Sequence, residues 1–549
     1  MNGLDIVFGL AAGLVSVNAI AALPLQVKVI NEVTHDVSAP LSEMALNAQA
    51  TMQEAHKIVP LHRVPLKLKL LSHDIQDKAI QPTTGLTLNT INGHNFEGLG
   101  QGFPGYFDSS VPPDTNASVG LTQIVQWVNT DFIVFNKTTG AVIQGATPGN
   151  AFWAGFADTR CRDQNSGDPI VKYDQLANRW VMTQFAVETS GHFTQCIAVS
   201  TTSDATGTYH RYSYDFNDNF NDYGKLGVWP DAYYMSFVMF PGGEPNDMRT
   251  ALPTSDGPSA CAFDRAKMLA GQAATMQCFQ PTPAAGIFLP ADLDGTNPPP
   301  TGSPNYFVGL YQSSLGQTLT NKLALWKFHV NWTTPSLSYF HGPTAIDVTS
   351  FNPIICSDSN DNCAVQKGTS QRLEVLGDRL MHRLAYRNFP TYQTMVVNQN
   401  IRVGSQGPGT RWYEIRINSD GTARVFQQGT YAQNDNNARW MGSIAMDKKG
   451  NMALGYSISG SDKYPSIRYT GRVVTDPINT MRTEKEIASG TSFQVMPSGY
   501  PRNRWGDYSS MAIDPSDGCT FWYTNEYIKV SGAFIWSTRI ASFRFPNCS

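Results

Sequence analysis

The run Arg504-Trp505-Gly506-Asp507-Tyr508 sets a guanidinium, an indole, a carboxylate and a phenol almost side by side in the chain. A second pair, Arg439-Trp440, stands upstream, and Asp168 and Asp231 each precede an apolar, β-rich run. Arginine holds carboxylate or phosphate groups bidentately, and an indole can cover the face of a sugar. If the fold brings them to one mouth, Asp168, Asp231, Arg439, Trp440, Arg504, Trp505, Asp507 and Tyr508 form a ring able to hold a polar ligand. Asp114, Asp292, Arg372 and Glu374 are further candidates for that surface. The same residue types also make ion pairs and turn hydrogen bonds that tie strand units together, and the sequence leaves both readings open.

Catalysis would ask more of them. Cleaving a glycosidic bond takes two carboxyl groups at a defined separation, or a tyrosine nucleophile. Asp168, Asp231 and Asp507 could supply acids, Tyr508 a nucleophile, and Arg439 and Arg504 a clamp for a substrate carboxylate. His382 lies inside a strand-like run and reads as a core or channel histidine. No HExxH, P-loop or GxSxG pattern occurs. Gly100-Gln-Gly-Phe-Pro-Gly105 matches GxGxxG, yet it contains proline and opens no helix, so it reads as a loop.

Oxygen-rich segments raise the possibility of structural calcium. Asp358-Ser-Asn360-Asp-Asn362 resembles the start of an EF-hand loop, but Cys363 stands where glycine is needed and Thr369 where the bidentate glutamate belongs. Asp292-Leu-Asp294 and Asp215–Asp222 are similar. For Asp292, Asp294, Asp358 and Asn360 the alternatives are a calcium ligand or a polar surface turn.

The elements that must carry these residues are short strands. In 549 residues, aromatics make up 11% and charged residues only 15%, with 46 glycines and 33 prolines. This texture fits strands joined by tight turns rather than long helices or disorder. Net charge is −4 and no basic run occurs, which disfavours nucleic acid as a partner. From about residue 105, β-rich runs recur at the spacing of propeller blades. Seven candidate inner strands begin near Ile124, Pro169, Ala232, Tyr306, Leu380, Gly442 and Ser509. Aspartate-led turns at Tyr173–Trp180, Met446–Asn451 and Ile513–Cys519 separate strand from strand, as hairpins require. The expected fold is all-β, a seven-bladed β-propeller over residues 105–549.

The turn Ile513-Asp-Pro-Ser-Asp-Gly-Cys519 resembles a degenerate Asp-box of sialidase-like propellers. Asp168-Pro-Ile-Val-Lys-Tyr-Asp174, Gly227-Val-Trp-Pro-Asp231, Arg439-Trp-Met-Gly-Ser443 and Arg504-Trp-Gly-Asp507 look like a group of secreted bacterial propeller proteins. From Pro112 to the C-terminus, the resemblance implies the fold and export, and it carries over no activity.

Residues 1–21 read as a secretory signal peptide, an apolar run ending in Ala19-Ile-Ala21, although no Lys or Arg precedes it. A short buried helix or a misassigned start is the alternative. No other run approaches the ~20 apolar residues that span a bilayer. Residues 22–104 form a partly helical N-terminal extension, with Ser38 as helix cap and Pro40 in the first turn. Pro-region, intramolecular clamp and spacer all remain open for it. Cys161, Cys196, Cys261, Cys278, Cys356, Cys363, Cys519 and Cys548 are even in number and fit an exported, disulfide-bonded chain. Neighbour pairing would join 161–196, 261–278, 356–363 and 519–548. The expectation is therefore a secreted monomer, extracellular or periplasmic. It would bind a carbohydrate or other extracellular polymer at the channel mouth. A glycan-cleaving hydrolase or lyase, or a scaffold for a surface protein, are the alternatives.

Overall fold

The computed structural model describes residues 25–49 and 75–549, apart from 82–84, 107–109, 189–190, 243–254, 314–317, 354, 357–361, 405–406, 497–499, 501 and 534. The expected signal peptide, Asp358 and Asn360 lie outside the described residues.

Antiparallel strands dominate, and the sheets follow one another along the chain. One four-stranded sheet runs Asn116–Val119, Gln123–Val128, Asp131–Asn136, Val142–Pro148. Two five-stranded sheets follow. The first holds Ile170–Asp174 to Tyr209–Asn217 with Thr34–Val37 at its edge, the second Asn219–Val228 to Met276–Phe279 with Lys28–Ile30 at its edge. An eight-stranded sheet joins two antiparallel halves, Phe288–Asp294 to Tyr339–Asp347 and Leu380–Asn388 to Ala423–Tyr431, through parallel pairing of Ala291–Asp294 with Leu384–Arg387. Ala438–Met446 to Lys485–Ala488 form a further four-stranded sheet. In the last, Ser510–Ile513, Phe521–Tyr527 and Ser537–Arg544 are completed by Ile91–Glu97 from the N-terminal extension.

The first strand of each run is where neighbouring sheets meet. Asn116 Oδ1 accepts from Val171 N (2.9 Å), Asp292 Oδ1 from Val228 N (3.1 Å) and Ser443 Oγ from Met511 N (3.0 Å). Ser510 Oγ donates to the Ala117 carbonyl (3.1 Å) and Arg387 Nε to that of Met446 (3.0 Å). At Gly227 a Cβ would lie 2.4 Å from the Ala291 carbonyl oxygen, so only glycine permits that approach. Behind these strands the sheets bury aromatic layers, as where Phe288 meets Phe307 edge-on at 5.4 Å.

Four expected inner strands, at Pro169, Leu380, Gly442 and Ser509, are first strands. The other three, at Ile124, Ala232 and Tyr306, are second strands. There the first strands carry Asn116 and Ser118, Asp222 and Lys225, or Asp292 and Asp294, so an apolar-run reading passes over them.

Local chemistry in the turns is as the sequence suggests: Asp447 Oδ1 accepts from Lys449 N and Asn451 N, and Asp514 Oδ1 from Ser516 N. Ser38 differs. Its hydroxyl accepts from Tyr209 N, while the first amides of the Leu41–Gln49 helix bond to the Gly207 and Thr206 carbonyls. All eight cysteines are paired, 161–196, 261–278, 356–363 and 519–548.

Candidate functional site

The N-terminal ends of the meeting strands gather a buried charge cluster. Asp114, Asp168 and Asp507 each sit just before a first strand in the left-handed region, at φ 48°, 47° and 59°. Such a conformation costs a non-glycine residue on the order of 1–3 kcal/mol and persists where surrounding contacts over-determine it. At Asp507 those contacts are ionic, and at Asp114 an amide supplies one, Asn129 Nδ2 donating to Oδ2 (2.9 Å). Arg504 Nη2 lies 2.6 Å from Asp507 Oδ1, and Arg504 Nε 2.8 Å from Glu374 Oε2. Lys225 Nζ stands 3.4 Å from the ring centre of Tyr223 and 4.1 Å from that of Tyr508. The Tyr508 hydroxyl donates to the Pro169 carbonyl (3.0 Å). Arg379 pairs with Asp378 and lies 4.4 Å from the centre of the Tyr223 ring. Each of these charged side chains is at least nine-tenths buried.

The cluster holds more acid than base, and burial shifts its members accordingly. Burial pushes Asp168 up to about 6, with Lys225 opposing and Asp507 reinforcing the shift. Burial drives Asp114 and Asp222 well above the usual carboxylate range, Asp168 adding to both, and raises Glu526 likewise. The Lys225 ammonium is pulled down to about 8 by burial, against Asp168, Asp114 and Asp507. Among the described residues, Asp114 Oδ1 and Asp168 Oδ2 are buried without a hydrogen-bond partner, while Asp114 Oδ2 accepts from Asn129 Nδ2. His382, between this cluster and Lys172, is held neutral by burial and by Lys172, Lys225 and Arg383.

At the C-terminal ends of the same strands lies a small polar pocket of ≈ 30 Å³, room for about one water molecule. Ser118, Lys172, Tyr173, Gln175, Asp292, Asp294, Arg383 and Ser510 line it. Lys172 Nζ donates to Asp292 (2.7 Å), while Arg383 spans Asp292 (2.9 Å) and Asp294 (2.5 Å). Gln175 Nε2 donates to the Leu293 carbonyl (3.0 Å), which fixes the rim.

The eight expected ligand-binding residues therefore divide. Asp168, Arg504, Asp507 and Tyr508 converge. Arg439 does not join them: it is clamped by Asp435 (2.7 Å) and Glu484 (2.9 Å), with Tyr456 also donating to Glu484. Trp440 and Trp505 are fully buried against one another, centroids 5.6 Å apart, so neither indole presents a face to solvent. Asp231 lies in the turn after Trp229, where it accepts from the Tyr234 hydroxyl and burial lifts it to about 6. Asp292 and Asp294 take Lys172 and Arg383 as their counter-charges. Among the described residues, no three His, Cys, Asp or Glu side chains are arranged to hold a metal ion. Glu374 joins the buried cluster, whereas Arg372 is exposed. Sequence reading missed Lys225, Arg379, Lys172 and Arg383, and took Asp222 only as the end of an oxygen-rich segment. Their one signal is a charged residue placed inside an otherwise strand-like run.

No family model matches the chain. Nor does any curated protein. Among solved structures, a mutant of Synechocystis apocarotenoid oxygenase aligns at 10% identity and TM-score 0.35, covering 67% of this chain and 74% of that one. A Hadza microbial sialidase aligns at 9% identity and TM-score 0.33, covering 78% and 74%. A polysaccharide lyase, an ulvan lyase, aligns at 10% identity and TM-score 0.35, covering 81% and 97%. At these scores the likenesses carry no argument about chemistry. Among the described residues no helix is long and apolar enough to cross a membrane.

Proposed function

We propose that the chain is an exported seven-bladed β-propeller that binds a carbohydrate or other extracellular polymer across the polar rim formed by Lys172, Gln175, Asp292 and Arg383. Two five-stranded sheets, three four-stranded sheets and the two halves of the eight-stranded sheet supply the seven units, and side-chain stitches between successive first strands support an axial arrangement. Four disulfides fit the oxidising conditions outside the cytoplasm.

The observation that supports the binding reading is the polar rim of this pocket. Lys172, Gln175, Asp292 and Arg383 are already fixed by hydrogen bonds, so little ordering is lost when the hydroxyls of a polymer laid across the mouth bond to them. Cleavage by the buried carboxyls is less well supported. Asp114, Asp168 and Asp507 are all buried, whereas paired glycosidase carboxyls flank a bound sugar.

Retention of the full chain on a glycan array tests the reading. Binding should fall at least tenfold in Gln175→Ala and persist in Arg439→Ala, where that variant remains folded. A chain that retains no glycan, or retains it equally after Gln175→Ala, refutes the assignment.

A further inference from the structure

The N-terminal extension does not sit on the body as a separate layer. Lys28–Ile30 pairs antiparallel with Met276–Phe279, and Thr34–Val37 with Tyr209–Asn217. The Leu41–Gln49 helix then lies against Val142–Pro148. Farther on, Ile80 bridges Thr430, and Ile91–Glu97 completes the last sheet. In each strand pairing the extension takes the outer edge of a sheet that would otherwise present unpaired amides and carbonyls, a template for aggregation.

Its side chains are also built into the body. Arg211, 3% exposed, has Asp36 as its carboxylate, at 2.7 and 2.8 Å. Arg411, 0% exposed, has Asp77 at 2.7 Å. Among the described residues no other carboxylate pairs with either guanidinium. Gln81 imitates a strand neighbour: its Nε2 donates to the Met481 carbonyl (2.8 Å) and its Oε1 accepts from Met481 N (2.7 Å). Beside it Gly85 takes φ 68°, where a Cβ would lie 2.2 Å from the same carbonyl oxygen. Removing the extension would strip two buried arginines of their counter-charges and open the sheet edges together.

We propose that residues 25–49, 75–81 and 85–97 form a permanent strap of the mature protein, and not a pro-segment discarded on maturation. It joins sheets distant in sequence by pairing their outer edges and neutralising arginines buried beneath them.

The test uses the full chain, exported by its natural host or a bacterial one. Intact mass and N-terminal sequencing of the folded, exported protein should place its first residue upstream of Lys28. Asp36→Ala and Asp77→Ala should each lower Tm by about 5 °C or more, or abolish accumulation of folded protein. A folded, exported protein that begins downstream of Lys28 overturns the proposal. So does wild-type Tm in both variants. Because these readouts need no ligand, they stand apart from the glycan experiment.

Discussion

Arg504 and Asp507 form an ion pair of 2.6 Å from which water is almost wholly excluded, the two side chains being 3% and 1% exposed. Its strength rests on company, since Glu374 holds the other edge of the guanidinium at 2.8 Å. Replacing Arg504 with methionine keeps the volume but leaves Asp507 without its cation and Glu374 with only the more distant Arg502, at 3.6 Å. A loss of about 3–5 kcal/mol is expected, read as a lower urea midpoint. An unchanged midpoint would mean that the cluster is satisfied in some other way.

The acid-rich cluster sets a direction for pH. Asp168 is raised by burial from its ordinary value of 3.8 to about 6, so the native state holds a proton that the unfolded chain releases earlier. Its contribution to stability is complete below about pH 4 and is lost as pH rises through 6, with on the order of 2–3 kcal/mol at stake. Asp168→Asn removes that titration. Urea unfolding at pH 4.5 and pH 7.5 should show the variant gaining on wild type at the higher pH. Parallel wild-type and variant curves would contradict the assignment.

Arg439 offers a contrast between position and type. It is clamped by Asp435 and Glu484 away from both the buried cluster and the pocket. Arg439→Ala is expected to lower stability by about 2–4 kcal/mol, because Glu484 keeps only Arg468 and the Tyr456 hydroxyl. Calorimetry should show the drop in Tm.

The disulfides differ in the loops that they close. Cys519–Cys548 spans 29 residues and Cys356–Cys363 only 7. On loop-entropy grounds, removal should cost about 3–4 kcal/mol for the first and about 2 kcal/mol for the second. Paired Cys→Ser variants compared by thermal unfolding check the order. A larger loss at 356–363 would show that native contacts outweigh chain entropy there.

Much of the fold could be read from residues that act locally. Asp447 and Asp514 organise their own turns through amides two to four residues away, so strand, turn and strand emerge from a short window. Neighbouring cysteines paired for the same reason. What escaped reading was the partly polar character of the meeting strands. Asp292 lies within a strand because Lys172 faces it from another strand, and Lys225 because the Tyr508 ring, far along the chain, lies beside it; no window of sequence contains either pair. Arg439 and Arg504 look alike in sequence, each followed by tryptophan. Their surroundings differ because Glu484 and Glu374, far away in the chain, choose between them.

The pairing of Ile91–Glu97 with Ser537–Arg544 has a consequence in time. His94 and Ser542 touch across 448 residues of chain. At about 5–20 residues per second, a ribosome finishes the second strand roughly 20–90 s after the first. The last sheet therefore cannot close while the chain is still emerging. The earlier strands Lys28–Ile30 and Thr34–Val37 meet partners that are complete by Phe279, so this one strand waits longest for its neighbour.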